Sequence, residues 1–224
     1  MLIQSKKYDE KFIWIKVPKT GTRAYSQLFH PNGDEFFVGN KKLYHIHKPF
    51  SVLYTQHEKK YSGFTVLRDP RTRFISALKH LADLNQQCDT NNCINHPGKM
   101  PLNNMDDLVN FLYDNFERNC IPKNNKDFKE IFGVEFINYY DSFFKTQTFW
   151  AYHPKVKYFK YEKIEEFNDW LYNSLGIDVA KLQKVGTIKT NHLEHLNFED
   201  VLFKQVVRHL FYDDYQVFDY QEEI

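Results

Sequence analysis

The chain has few cysteines, almost no net charge and no long apolar run, and each shortage closes off a class of function. Three cysteines (Cys88, Cys93 and Cys120) are an odd number and imply no disulfide framework. The run Cys88-x4-Cys93-x2-His96 has metal-like residue types, but zinc sites pair cysteines two to four apart and need a fourth ligand. The reading is a plain loop with free thiols, and no metal is expected. No stretch of eighteen apolar residues occurs, which excludes a transmembrane helix. The segment Met1 to Lys7 turns polar too early for a signal peptide, and no Asn-X-Ser/Thr sequon is present, so a cytoplasmic product is expected. The 30 Lys and Arg balance 29 Asp and Glu, so bulk charge recruits neither nucleic acid nor an anionic membrane, and any basic site must be local. There is no internal repeat and no low-complexity segment.

What is present is aromatic. Phe and Tyr number 21 and 15 against three Trp, so much of the core is expected to be Phe. A length of 224 residues suits one domain, or a domain with a lid, and residues 1–224 are read as a single domain. Phe12–Val17 is a short apolar run ending at Pro18 and reads as a buried strand. A turn at Lys19–Thr22 leads into a helix over Ala24–Phe29. Leu43–His47 alternates and reads as a second strand, and Ser62–Leu67 as a third. Pro70 then suits the first turn of a helix carrying the apolar stripe Phe74, Ala77, Leu78 and Leu81. Residues 85–104 are read as a loop, Leu108–Phe116 as a helix with Asp106 and Asp107 at its start, and 119–130 as an exposed loop. A helix is expected over Phe136–Trp150, a strand over Val156–Tyr161 and a helix from Ile164 closed by Gly176. Gly186–Asn191 reads as a polar loop, and Asn197 as the cap of a last helix. Strands alternating with helices predict an α/β fold, a parallel sheet covered on both faces. Ligands of such sheets sit beyond the carboxyl ends of the strands.

Two segments at such ends carry chemistry. In Pro18-Lys19-Thr20-Gly21-Thr22, the glycine lets backbone N–H groups turn toward an anion and the following helix adds its positive end. Two threonine hydroxyls can donate and Lys19 adds a full charge. The order differs from the P-loop pattern, because the lysine precedes the glycine. In Arg68-Asp69-Pro70-Arg71-Thr72-Arg73-Phe74-Ile75-Ser76, three arginines and Ser76 could grip a second phosphate, Arg being suited to bidentate contacts. Taken alone, either segment could equally be an ordinary turn or a solvated basic face. Together they imply a ligand with anionic groups at both ends. A third element, Tyr44-His45-Ile46-His47-Lys48, puts two histidines on one face of a strand. A neutral imidazole there can act as a general base toward an alcohol.

The two loops resemble the paired signatures of sulfotransferases, P-K-[TS]-[GA]-[ST] and R-x-P-x-x-R-x-x-S. The resemblance implies a P-loop-like three-layer α/β fold with a central parallel sheet flanked by helices. It implies 3'-phosphoadenosine 5'-phosphosulfate (PAPS) as co-substrate. Lys19 would contact the bridging oxygen of the donor. Pro18, Thr20, Gly21, Thr22 and Arg23 would form the 5'-phosphosulfate loop. Arg68 and Ser76 would hold the 3'-phosphate, while Arg73 serves that phosphate or a structural ion pair. His45-Ile46-His47 is similar to the His-x-His of heparan-type uronyl 2-O-sulfotransferases, which makes His47 the expected base with His45 beside it and points to a carbohydrate hydroxyl as acceptor. His57 and Glu58 are alternative bases. Thr187–Asn191, with Lys189, resembles a loop that folds over the adenine or 3'-phosphate. Looser likenesses are Gln147 before an aromatic stretch, Lys160-Tyr161-Glu162 after a strand, and Asp213–Tyr220. Two rivals are kept: a P-loop-type kinase and a non-catalytic module that binds anionic glycans.

Overall fold

The computed structural model describes residues 2–4, 11–29, 36–38, 41–43, 48–56, 59–90, 100–132, 142–182 and 193–221. Its elements begin with β1 (Leu2–Gln4), β2 (Lys11–Trp14), α1 (Thr22–Phe29), β3 (Phe36–Val38), β4 (Lys41–Leu43), α2 (Phe50–Gln56) and β5 (Ser62–Leu67). They continue with α3 (Pro70–Thr90), α4 (Met105–Asn115), α5 (Phe128–Phe132), α6 (Gln147–Ala151), β6 (Val156–Lys160), α7 (Ile164–Trp170), α8 (Val201–Leu210) and α9 (Tyr212–Val217). The described residues divide into two compact units, each assembled from two stretches of chain. Residues 1–69 and 147–187 form the first, and residues 70–146 and 188–224 the second.

The first unit holds the sheet, in the order β1-β2-β5-β6. β2 pairs parallel with β5 from Phe12↔Ser62 to Trp14↔Phe64, and β5 pairs parallel with β6 from Gly63↔Val156 to Leu67↔Lys160. β5 is buried from Gly63 to Leu67, the continuous apolar run expected of a strand covered on both faces. On one face Trp14, Phe64, Val66 and Phe159 pack with Tyr25 of α1 and Phe167 of α7. The other face receives α2 at Gly63, where a Cβ would lie 2.6 Å from Phe50 Cε2. A side chain at that position would displace the helix. The chain is therefore a mixed α/β protein with helices flanking a central sheet.

The second unit is helical among its described residues. Phe74, Ala77, Leu78 and Leu81 of α3 pack with Leu108 and Leu112 of α4, with Phe203 and Val207 of α8, and with Phe116, Phe144 and Phe211. Phe116 and Phe144 stack with ring centroids 4.9 Å apart. The expected dominance of Phe in the core holds here in particular.

Several expectations need correction. The sheet is not wholly parallel, because β1 pairs antiparallel with β2 as an edge strand. Of the strand expected at Leu43–His47 only Leu43 is described, as the last residue of β4, which pairs with β3 in a separate two-stranded sheet; residues 44–47 lie outside the described residues. Residues 85–90, read as loop, continue α3 as far as Thr90. The segment 119–130 is not plain loop: Phe116 bridges Pro122, short turns follow at Arg118–Cys120 and Lys123–Asn125, and α5 starts at Phe128. The helix expected over Phe136–Trp150 is interrupted at Lys145 and Thr146 before α6 begins. Finally, the cap of α8 is Asp200, whose Oδ1 accepts from Phe203 N at 3.0 Å. Asn197 Oδ1 accepts instead from Glu199 N, one turn earlier.

Candidate functional site

The segment after β2 continues extended and buried through Ile15, Lys16 and Val17, with Ile15 N donating to Phe64 O at 3.0 Å. The turn that follows alternates in hand. Lys19 has φ 67° and Gly21 has φ 79°, and Thr20 lies between them outside the left-handed region. Such alternation turns successive N–H groups toward one point, the concavity that binds anions. For glycine the conformation is cheap. For Lys19 it costs about 1–2 kcal/mol, a strain of the kind that concentrates at functional sites. α1 opens directly behind the turn, with Ala24 N donating to Gly21 O at 3.1 Å, and its positive end lies at the loop.

Buried hydroxyls hold this shape. Thr20 Oγ1 donates to Val17 O at 3.0 Å and the residue is fully buried. Its hydroxyl proton is thus committed to the loop, and what Thr20 offers an anion is its backbone N–H. Ser26 Oγ donates to Thr22 O at 2.9 Å. Tyr25 Oη donates to Asn168 Oδ1 at 2.8 Å, tying α1 to α7. Burial first, then the neighbouring Tyr161 and Glu165, pushes the Tyr25 pKa up to about 12. Thr65 Oγ1 donates to Ile15 O at 2.8 Å, a side-chain tie between the two strands that feed the two motif loops.

The structure separates the three arginines that the sequence groups. Arg68, half-buried at the end of β5, has its guanidinium 5.1 Å from the centre of the Tyr161 ring. Tyr161 Cε2 lies only 2.8 Å from where a Gly21 Cβ would be. One aromatic ring thus touches the turn after β2 and the arginine after β5. In the sequence Tyr161 ends the strand expected over Val156–Tyr161 and belongs to the family-like segment Lys160-Tyr161-Glu162; in the structure the strand stops at Lys160. Its place one residue past β6, a parallel neighbour of β5, is a matter of strand register that the sequence does not show.

Arg71 is drawn elsewhere: its Nη1 meets Glu199 Oε2 at 3.2 Å, and Lys204 Nζ meets the same oxygen at 3.0 Å. The hydrogen bond from Lys204, then Arg71, holds the Glu199 carboxyl below its ordinary range. Arg73 is fully buried in the second unit. It donates to Lys145 O at 2.6 Å and lies 5.2 Å from the Phe211 ring centre. Burial pushes its pKa down, and the equally buried Asp214 opposes that shift. This was legible in the sequence. Pro70, Arg73, Phe74, Ala77, Leu78 and Leu81 are all buried and share one helical stripe, so Arg73 stands on the apolar face. Ser76 is half-buried on the same helix.

Of the other expected residues, Pro18 is buried in the loop and Thr22 is buried at the first position of α1. Arg23 lies in the first turn of α1, and its side chain is outside what is described. His45, His47, His57, Glu58 and Lys189 lie outside the described residues. Among the described residues no cluster of His, Cys, Asp or Glu could hold a metal, and no helix is long and apolar enough to cross a membrane.

Comparison with known proteins gives one match. The family model described as the sulfotransferase family covers residues 2–221. No curated protein and no solved structure matches the chain.

Proposed function

The chain belongs to the sulfotransferase family, and from that premise we propose that it moves a sulfuryl group from PAPS to a hydroxyl of a carbohydrate acceptor, by in-line displacement with a histidine base. The observation that carries this reading is the Tyr161 ring, set against both the left-handed turn of Lys19–Gly21 and the guanidinium of Arg68. Anion-holding groups at the ends of two adjacent parallel strands suit a nucleotide with phosphate at both its 5' and 3' positions. The donor set fits: a turn of alternating hand whose Gly21 packs against the Tyr161 ring, a lysine within it and a helix start behind it.

When bound, the donor supplies the sulfuryl group and a phosphate as leaving group. Backbone N–H groups of Thr20, Gly21 and Thr22 hold the 5'-phosphate. Lys19 stabilises the negative charge that builds on the leaving oxygen. Arg68 holds the 3'-phosphate, and the motif assigns Ser76 to the same group. Arg73, enclosed with Asp214, serves the helix that carries Ser76. His47, with His45 beside it, takes the proton of the acceptor hydroxyl as its oxygen bonds to sulfur, and the S–O bond to the phosphate breaks with its electron pair staying on that phosphate. Lys189 closes over the nucleotide. The histidine, Ser76 and Lys189 roles rest on sequence.

The test is a thermal-shift titration with 3'-phosphoadenosine 5'-phosphate beside ATP with magnesium. A ligand at a hundred times its Kd adds about 2.7 kcal/mol, which raises the Tm of a chain this size by roughly 5–10 °C. The expected outcome is a shift with the bisphosphate that Lys19→Ala diminishes. A shift with ATP and magnesium alone would move the reading to a kinase. Binding of sulfated glycans without the nucleotide would move it to a lectin-like module.

A further inference from the structure

Parallel pairing of β5 with β6 ends at Leu67↔Lys160. The chain must still travel through Arg68 and Asp69 before Pro70 opens α3, and backbone groups released from a ladder need other partners. Side chains supply them. Arg68 N donates to Gln147 Oε1 at 2.9 Å, and Gln147 Nε2 donates to Arg68 O at 2.8 Å. Both backbone groups of one residue are thus paired with one carboxamide, as in a hydrogen-bonded pair of antiparallel strands. Asp69 N donates to Glu162 Oε1 at 2.8 Å. Three consecutive backbone groups are therefore fixed by residues 79 and 93 positions away in sequence.

Gln147 is fully buried at the first position of α6, and burying an amide is favourable only when its hydrogen bonds are made. An apolar residue would fill the same volume in a core position at no such demand. Glu162 belongs to the turn that begins with Tyr161, whose ring carries the Arg68 guanidinium. The arginine is thereby held at two levels, its backbone by Gln147, with Glu162 fixing the N–H of the next residue, and its head by Tyr161.

We propose that Gln147 and Glu162 are positioning residues for donor recognition: they continue the β5–β6 ladder through side chains and so fix where Arg68 presents its guanidinium to the 3'-phosphate. The inference rests on the reading of Arg68 as the 3'-phosphate ligand, and its test separates the two. Calorimetric titration compares 3'-phosphoadenosine 5'-phosphate with adenosine 5'-monophosphate on the wild type, Gln147→Met and Glu162→Ala. A misplaced charged ligand group costs affinity selectively, so Gln147→Met should weaken the bisphosphate about tenfold, and Glu162→Ala by about threefold, with the monophosphate changed less than about twofold. A merely structural role would weaken both nucleotides together or lower stability alone, and that result overturns the proposal, as does wild-type bisphosphate affinity in the variants. Should Gln147→Met fail to fold, the surface variant Glu162→Ala decides by the same ratio. If the wild type itself does not distinguish the bisphosphate from the monophosphate, the Arg68 reading falls first and this one with it.

Discussion

The two units bury polar groups for opposite ends. In the first the buried polar groups are mostly small or neutral (Thr20, Thr22, Ser26, Thr65 and Gln147), with Lys16 the charged exception. Thr20, Ser26, Thr65 and Gln147 each bond to backbone, and together they shape loops at the ends of strands. In the second the largest buried polar group is a full guanidinium, Arg73, with the buried carboxylate of Asp214. The single motif from Arg68 to Ser76 straddles the boundary, which falls between Asp69 and Pro70. Its first arginine is half-buried against Tyr161, and its last is sealed among phenylalanines. Burial, and not residue type, decides which arginine is available to a ligand and which holds a core.

The largest expected effect comes from dividing those two arginines. Removing one partner of a buried charge pair typically costs 3–5 kcal/mol, because the other charge is left uncompensated. Arg73→Ala should therefore unfold the protein at markedly lower denaturant, whereas Arg68→Ala should cost under about 1 kcal/mol, as for exposed charges. Nucleotide binding should reverse the order, with Arg68→Ala losing the bisphosphate. Replacing both members of the pair, Arg73→Met with Asp214→Leu, should recover much of the stability, since no charge is then stranded. Chemical denaturation beside nucleotide titration reads both quantities. Equal stability losses in Arg68→Ala and Arg73→Ala would erase the distinction between the units.

A smaller effect probes the loop. Gly21→Ala meets two separate penalties, a left-handed φ of 79° and a Cβ 2.8 Å from Tyr161 Cε2. Left-handed placement of an L-residue costs about 1–3 kcal/mol. The variant should lose about that much stability and bind the bisphosphate less well. Adding Tyr161→Ala relieves the contact and leaves the backbone strain, so the double variant should recover only part of the stability. Full recovery would show that the crowding against Tyr161, and not the turn, makes the glycine necessary.

Much of this arrangement was legible in the sequence because it is local. A strand, a Gly-containing turn and a helix read directly off Phe12–Phe29, and Pro70 marked the start of α3. What stayed hidden depends on pairing between distant segments. Tyr161 reaches Gly21 only because β6 lies beside β5 and β5 beside β2, a fact of register that no local pattern carries. The left-handed backbone of Lys19 runs against its propensity, so no rule of composition points to it. Arg73 is the instructive case: the sequence left it two roles, the 3'-phosphate or a structural ion pair, while the spacing of Pro70, Phe74 and Ala77 already placed it on a buried stripe. The β1 edge and the β3–β4 pair were missed because strands of three residues are too short to show a period.

The smallest expected effect concerns the start of α8, where the sequence pointed to Asn197 and the cap is Asp200, three residues on. Asp200 Oδ1 accepts from Phe203 N, and its charge faces the positive end of the helix. Asn197 caps only a preceding turn at Glu199. Loss of an N-cap costs about 1 kcal/mol, so Asp200→Ala should lower stability by that amount and Asn197→Ala by a few tenths. Because Phe203 and Val207 of this helix belong to the core that encloses Arg73, the loss should appear in denaturation of the whole chain. Bisphosphate affinity should stay close to the wild-type value in both variants, since Lys19, Gly21 and Arg68 belong to the first unit and, of the proposed donor residues, only Ser76 and Lys189 to the second. A drop in nucleotide affinity with Asp200→Ala would mean that the stability of the second core reaches the donor loop, and the division of labour between the units would have to be redrawn.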